Sequence, residues 1–121
     1  MTKQFIYVTT QREFIHSYPD APNEVFYLRF PHRHIAHIKV MVEVKHNDRE
    51  IEFIMFKHWL EKLEFNTYTS CEDMAHSIKL LIQDTYGTDR DLEITVSEDG
   101  ENGAIVRYTK GEINDTIVEG N

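Results

Sequence analysis

The stretch Ile38–Val44 (IKVMVEV) alternates strictly, placing Ile38, Val40, Val42 and Val44 on one side and Lys39, Met41 and Glu43 on the other. A side-chain period of two belongs to a β-strand, so this segment is expected in a sheet that buries one face. The buried face needs a cover, and the rest of the chain has to supply it. With 121 residues, 40% apolar and 12% aromatic, the chain has the size for one domain with a real core.

The other segments fit that requirement. Gln4–His16 (QFIYVTTQREFIH), rich in β-branched and aromatic residues, predicts a first strand, and Ser17–Asn23 (SYPDAPN) predicts a turn. After the alternating strand, Asn47-Asp48 reads as a turn, and Arg49–Phe53 either completes a hairpin or leads into a helix. Phe56, Trp59, Leu60 and Leu63 recur at helical spacing within Phe56–Phe65. A second helix is signalled by Thr69 or Ser70 as cap, Glu72 and Asp73 in its first turn, and Met74, Ile78, Leu81, Ile82 and Thr85 along one side. Gly87 marks its stop. Asp91–Ser97 and Ala104–Tyr108 predict two strands joined through Glu98–Gly103, and the polar tail Lys110–Asn121 is expected to fray. The order β-β-α-α-β-β predicts an α+β domain with two helices on one face of a four-stranded antiparallel sheet.

Charge and hydropathy narrow the partners. A formal net charge of −8 argues against a nucleic-acid partner, because phosphates need a compensating basic face. The sequence has no apolar run of about 18 residues, and MTKQFIYVTT lacks the pattern of a secretory leader, so no membrane association or export is expected. The single cysteine, Cys71, has no internal partner, which fits a cytoplasmic location. A small molecule or a protein is the expected partner.

Histidine is the unusual component. There are seven, and His32, His34 and His37 fall close together. In a strand, His32 and His34 project from the same face and can chelate one ion, whereas His37, three residues beyond His34, points away. His16 ends the first strand, and a return through Pro19–Pro22 can bring it beside them. Three neutral imidazoles with an open fourth position suit zinc. The spacing is equally compatible with histidines that make ordinary hydrogen bonds.

Phe14–Pro19 (FIHSYP) followed by His32-Arg33-His34 resembles the two zinc-ligand segments of the 6-pyruvoyl- and 6-carboxy-tetrahydropterin synthase family, where a histidine ends the first strand and His-Gly-His opens the second. Ser70–Ala75 (SCEDMA) is similar to that family's Ser/Thr-x-Glu-Asn-hydrophobic-Ala helix start, and Leu92–Glu98 with Ala104–Tyr108 to its closing hairpin. These segments lie in family order across residues 4 to 108. The resemblance implies a T-fold, zinc held by His16, His32 and His34, and Glu98 as the anchor for the edge of a pterin- or purine-like heterocycle. It also implies a homo-oligomer, a trimer or a hexamer.

The sequence departs from that family at its acid-base groups. The family's catalytic cysteine, four residues before the first histidine of His-Gly-His, is Leu28 here, which cannot exchange protons. Cys71 falls at the second helix, with the expected role of a small buried apolar residue. The family's Asp-His pair between the helices has no room in Asn66–Tyr68, and His58 and His76 on the helices are expected to be exposed. Arg33 replaces the intervening glycine and is expected to affect access to the ion. The acidic residues from Asp84 to Asp99 form no calcium loop and are expected to be a solvated face. Three functions stay open: a zinc protein that binds a pterin-like heterocycle without the usual catalysis, a zinc-dependent lyase of the tetrahydropterin synthase type with altered acid-base residues, and a metal-stapled interaction or inhibitory protein.

Overall fold

The computed structural model describes residues 1–67 and 69–111. Four strands, β1 (Gln4–His16), β2 (His32–Val44), β3 (Leu92–Glu98) and β4 (Asn102–Tyr108), form an open antiparallel sheet in the order β1-β2-β3-β4. Two α-helices, α1 (Phe53–Glu61) and α2 (Cys71–Tyr86), are inserted between β2 and β3, and a 3-10 segment, Asn23–Arg29, lies between β1 and β2. The architecture is α+β. Helix α1 packs on β1 and α2 on β3 and β4.

The alternation read from Ile38–Val44 holds as far as Val42 and extends back to His32, whereas at the strand end Glu43 is buried as well and Val44 is half-buried. Val40, Val42, Ile94 and Val96 are fully buried on the covered face, against Met74, Ile78 and Ile82 of α2 and Phe56 and Leu60 of α1. Each such aliphatic side chain contributes roughly 1.5–3 kcal/mol when removed from water. The opposite face carries Tyr7, Ile35 and Ile105, which are exposed.

Several boundaries follow from capping rather than from apolar spacing. Helix α1 begins at Phe53, earlier than the stripe at Phe56 predicts, because the Glu52 carboxylate accepts a hydrogen bond from Met55 N at 2.9 Å. It ends at Glu61, and Leu63 and Phe65 reach the core from an irregular segment beyond it. Ser70 caps α2 by accepting from Asp73 N at 3.1 Å, and Gly87, with φ 87°, closes it as expected. The 3-10 segment was not legible as a helix, since Val25 has non-helical torsions within it and none of its residues is buried.

Lys110, the first residue of the expected polar tail, is held in place. Its backbone N–H donates to Asp91 Oδ1 and its ammonium to Glu43 Oε2, each at 3.0 Å. Residues 112–121 of that expected tail lie outside the described residues. Among the described residues no helix is long and apolar enough to cross a membrane.

Candidate metal centre

The β1-β2 ladder runs to its last possible pair, His16 opposite His32, with His34 one step inward opposite Phe14. All three histidines project to the helix-covered face, and their ring centroids lie 4.5, 4.8 and 5.1 Å apart. Phe14, itself buried, packs edge-on against His16 and tilted against His34, which backs the cluster with apolar surface.

Each ring is held through Nδ1. His16 Nδ1 lies 2.8 Å from the carbonyl oxygen of Thr69, and His32 Nδ1 lies 2.7 Å from that of Phe30. His34 Nδ1 lies 2.8 Å from the Asp99 carboxylate. A carbonyl or carboxylate oxygen can only accept, so each Nδ1 carries the proton, and in the neutral ring Nε2 presents its lone pair. The three Nε2 lone pairs face one another, with ligand atoms within 4.8 Å. Those of His32 and His34 are buried and without a hydrogen-bond partner. Buried polar atoms are ordinarily satisfied, and three lone pairs aimed at one point are satisfied together by a cation. This donor set therefore fits a metal ion. Among the described residues no other trio of His, Cys, Asp or Glu side chains converges in this way.

The elements that fix the rings are specific. Thr69 immediately precedes the α2 cap, and its hydroxyl donates to Asp73 at 2.7 Å, so the start of α2 sets the carbonyl that holds His16. Asp99 lies in the β3-β4 turn at φ 57°, a conformation that Asp tolerates better than most residues. Its Oδ1 accepts from Ile35 N at 2.9 Å while its own N–H donates to Ile35 O at 2.7 Å, which locks the turn onto β2 beside His34. Hydrogen bonds to its carboxylate, first from Ile35 N–H and then from His34, hold the Asp99 carboxyl below its usual range.

A cleft of about 610 Å³ opens beside the cluster, lined by His16, His32, Leu28, Cys71, Glu72 and Glu98 among others. One hollow of about 690 Å³ lies elsewhere, along Thr9, His37 and Lys57, and does not reach the three histidines. Glu98 ends β3 on the covered face, with Oε2 3.2 Å from His16 Nε2 and Oε1 3.7 Å from His34 Nε2. Cys71, the first residue of α2, is 7% exposed. Burial, reinforced by the negative charges of Glu98 and Glu72, pushes its thiol up to about 11. It is thus a neutral thiol at physiological pH, buried as the sequence led us to expect and also a wall of the cleft.

Other expected residues fall elsewhere. His37 is on the opposite face of β2, beside Gly100. Arg33 also points to that face, where it donates to Glu13 at 3.0 Å, so it does not crowd the three rings as the loss of the intervening glycine suggested. His58 and His76 are exposed on α1 and α2. The acidic stretch is not a uniformly solvated face. Asp89 pairs with Lys45, Asp91 with Lys3 and Glu93 with Arg107, while Glu98 and Asp99 belong to the site. Asp99 and the two orienting carbonyls were missed in the sequence. The one available signal was the Asp99-Gly100 turn directly after Glu98, the register partner of Ala36 in β2.

No protein-family model matches this chain, and a search of curated proteins finds no match.

Proposed function

We propose that this chain is a divergent T-fold protein of the 6-pyruvoyl- and 6-carboxy-tetrahydropterin synthase type that binds zinc through His16, His32 and His34. In this reading the adjoining cleft takes a pterin- or purine-like heterocycle. The observation that carries it is the convergence of three Nε2 lone pairs whose Nδ1 partners are all acceptors. Neutral imidazoles with their outer nitrogens tied to oxygen are the arrangement that zinc sites use. A zinc ion held by these three residues would supply Lewis acidity.

The chain's own residues set what else the site can do. Leu28 lines the cleft where the resembled family has its cysteine, and it offers no proton. Glu98 supplies a carboxylate able to accept two parallel N–H bonds from an amidine-like edge. The reading is therefore of a binding protein that keeps the metal and the anchor without the usual acid-base groups. One observation favours the lyase alternative, namely that the Cys71 thiol stands in the same cleft and has an exchangeable proton.

Elemental analysis and native mass spectrometry of untreated protein test the metal, with close to one zinc per chain expected and loss of it in His32→Ala. Titration with a reduced pterin triphosphate tests the cleft, with a fluorescence change and no turnover expected. A zinc-free protein that shows no such change would sink the proposal. Turnover that disappears in Cys71→Ala would establish the lyase reading instead.

A further inference from the structure

Glu98 stands against the three-histidine cluster as well as the cleft. Its two carboxylate oxygens address different rings, Oε2 at 3.2 Å from His16 Nε2 and Oε1 at 3.7 Å from His34 Nε2. With Nδ1 of both rings committed to oxygen acceptors, those Nε2 atoms present lone pairs to a carboxylate, a repulsive arrangement unless positive charge lies among them. Bonds of about 2.0–2.2 Å around a tetrahedral ion set neighbouring ligand atoms about 3.3–3.6 Å apart, and the two observed separations, one from each carboxylate oxygen, bracket that edge.

The backbone explains why the carboxylate is there. Glu98 is the register partner of Ala36, two residues from His34 on the same face of β2, and its strand ends at that point. The Asp99 turn, bound to both backbone groups of Ile35, prevents the end of β3 from drifting away. The Glu98 side chain is 29% exposed, so it borders the cleft while reaching the cluster.

We infer that Glu98 is the fourth ligand of the metal site, closing it as three imidazoles and one carboxylate. The inference rests on the three-histidine reading above and changes the resting state of the site. Ligation and anchoring use the same carboxylate, so a heterocycle that captures Glu98 vacates a position on the ion, and the site opens only when its ligand arrives.

The test compares the full chain with Glu98→Gln and Glu98→Asp, using zinc affinity by competition with a chromophoric chelator and the visible absorption of the Co²⁺-loaded proteins. Glu98→Gln should lose about tenfold or more in zinc affinity, the order seen for groups that support a metal site. Its Co²⁺ bands should shift and respond to azide at lower concentration than those of the unaltered protein. Glu98→Asp keeps the charge but withdraws it by one methylene, and it should show the same spectral change. Unchanged affinity and spectrum in Glu98→Gln would overturn the inference, as would an affinity loss restored by Glu98→Asp with no spectral change, which marks charge without ligation. If the unaltered protein takes up neither zinc nor Co²⁺, the three-histidine reading falls as well. Intact metal uptake with an indifferent Glu98 removes the fourth ligand alone.

Discussion

The ring of His34 has two nitrogens, and Asp99 decides which of them carries the proton. The 2.8 Å contact to Nδ1 fixes both the tautomer and the ring plane, and the carboxylate that makes it is itself held by Ile35 N–H. Orienting groups of this kind are worth about 10–100-fold in metal affinity. Asp99→Asn keeps an oxygen for Ile35 N–H and tolerates the positive φ, so it tests the charge with the turn preserved. We expect zinc affinity to fall about tenfold with an unchanged circular dichroism spectrum. An affinity equal to that of the unaltered protein would show that Asp99 only shapes the turn. The sequence displays His16, His32 and His34 through strand period, but it does not display Asp99, Thr69 or Phe30 as their partners. The first two contacts span 65 and 53 residues and depend on how β3 and α2 dock, whereas the third spans 2 residues and is local. A carbonyl oxygen, moreover, has no side-chain identity to read.

At the scale of elements, the end of the sheet remote from the histidines is fastened by charge. Arg90, just before β3, donates through Nη1 to Glu43 O at 3.0 Å and to Glu50 Oε1 at 2.9 Å, tying the α2-β3 connection to the β2-α1 connection. The Arg90 hydrogen bond lowers the Glu50 carboxyl to about 2 from 4.5. A depressed carboxylate adds stability that is complete above its unfolded value and is lost as the pH falls through the folded one. Unfolding free energy should therefore decline between about pH 5 and 2 by roughly 1–2 kcal/mol from this pair, after discounting for solvent screening. Glu50→Gln should be less stable at neutral pH and flatter across that window in urea melts. A variant with the same slope as the unaltered protein would assign the acid sensitivity to other carboxylates. These connections were opaque in the sequence because Glu50 and Arg90 are 40 residues apart in unremarkable charged loops. The strands and α2 were legible because period and caps are local. Helix α1 was displaced by three residues at its start, since a glutamate cap leaves a weaker mark than serine or aspartate.

The whole chain presents an unfinished surface. Among the described residues, strands β1 and β4 are the two ends of an open sheet, and β1, thirteen residues long, offers a long row of backbone groups on its outer side. The uncovered face adds Tyr7, Ile15, Ile35 and Ile105, each at least 43% exposed in the single chain. Long edges and scattered large apolar residues on one face are what a monomer avoids and what a symmetric assembly hides. The outward positions of β2 are Arg33, Ile35, His37, Lys39 and Met41, a mixture of charged and apolar side chains. From the T-fold proposal we expect a trimer or a hexamer by sizing with light scattering at micromolar concentration. A monomer there would contradict the proposal even with zinc bound, because the three histidines and Glu98 all come from one chain and the metal site does not itself require a second copy.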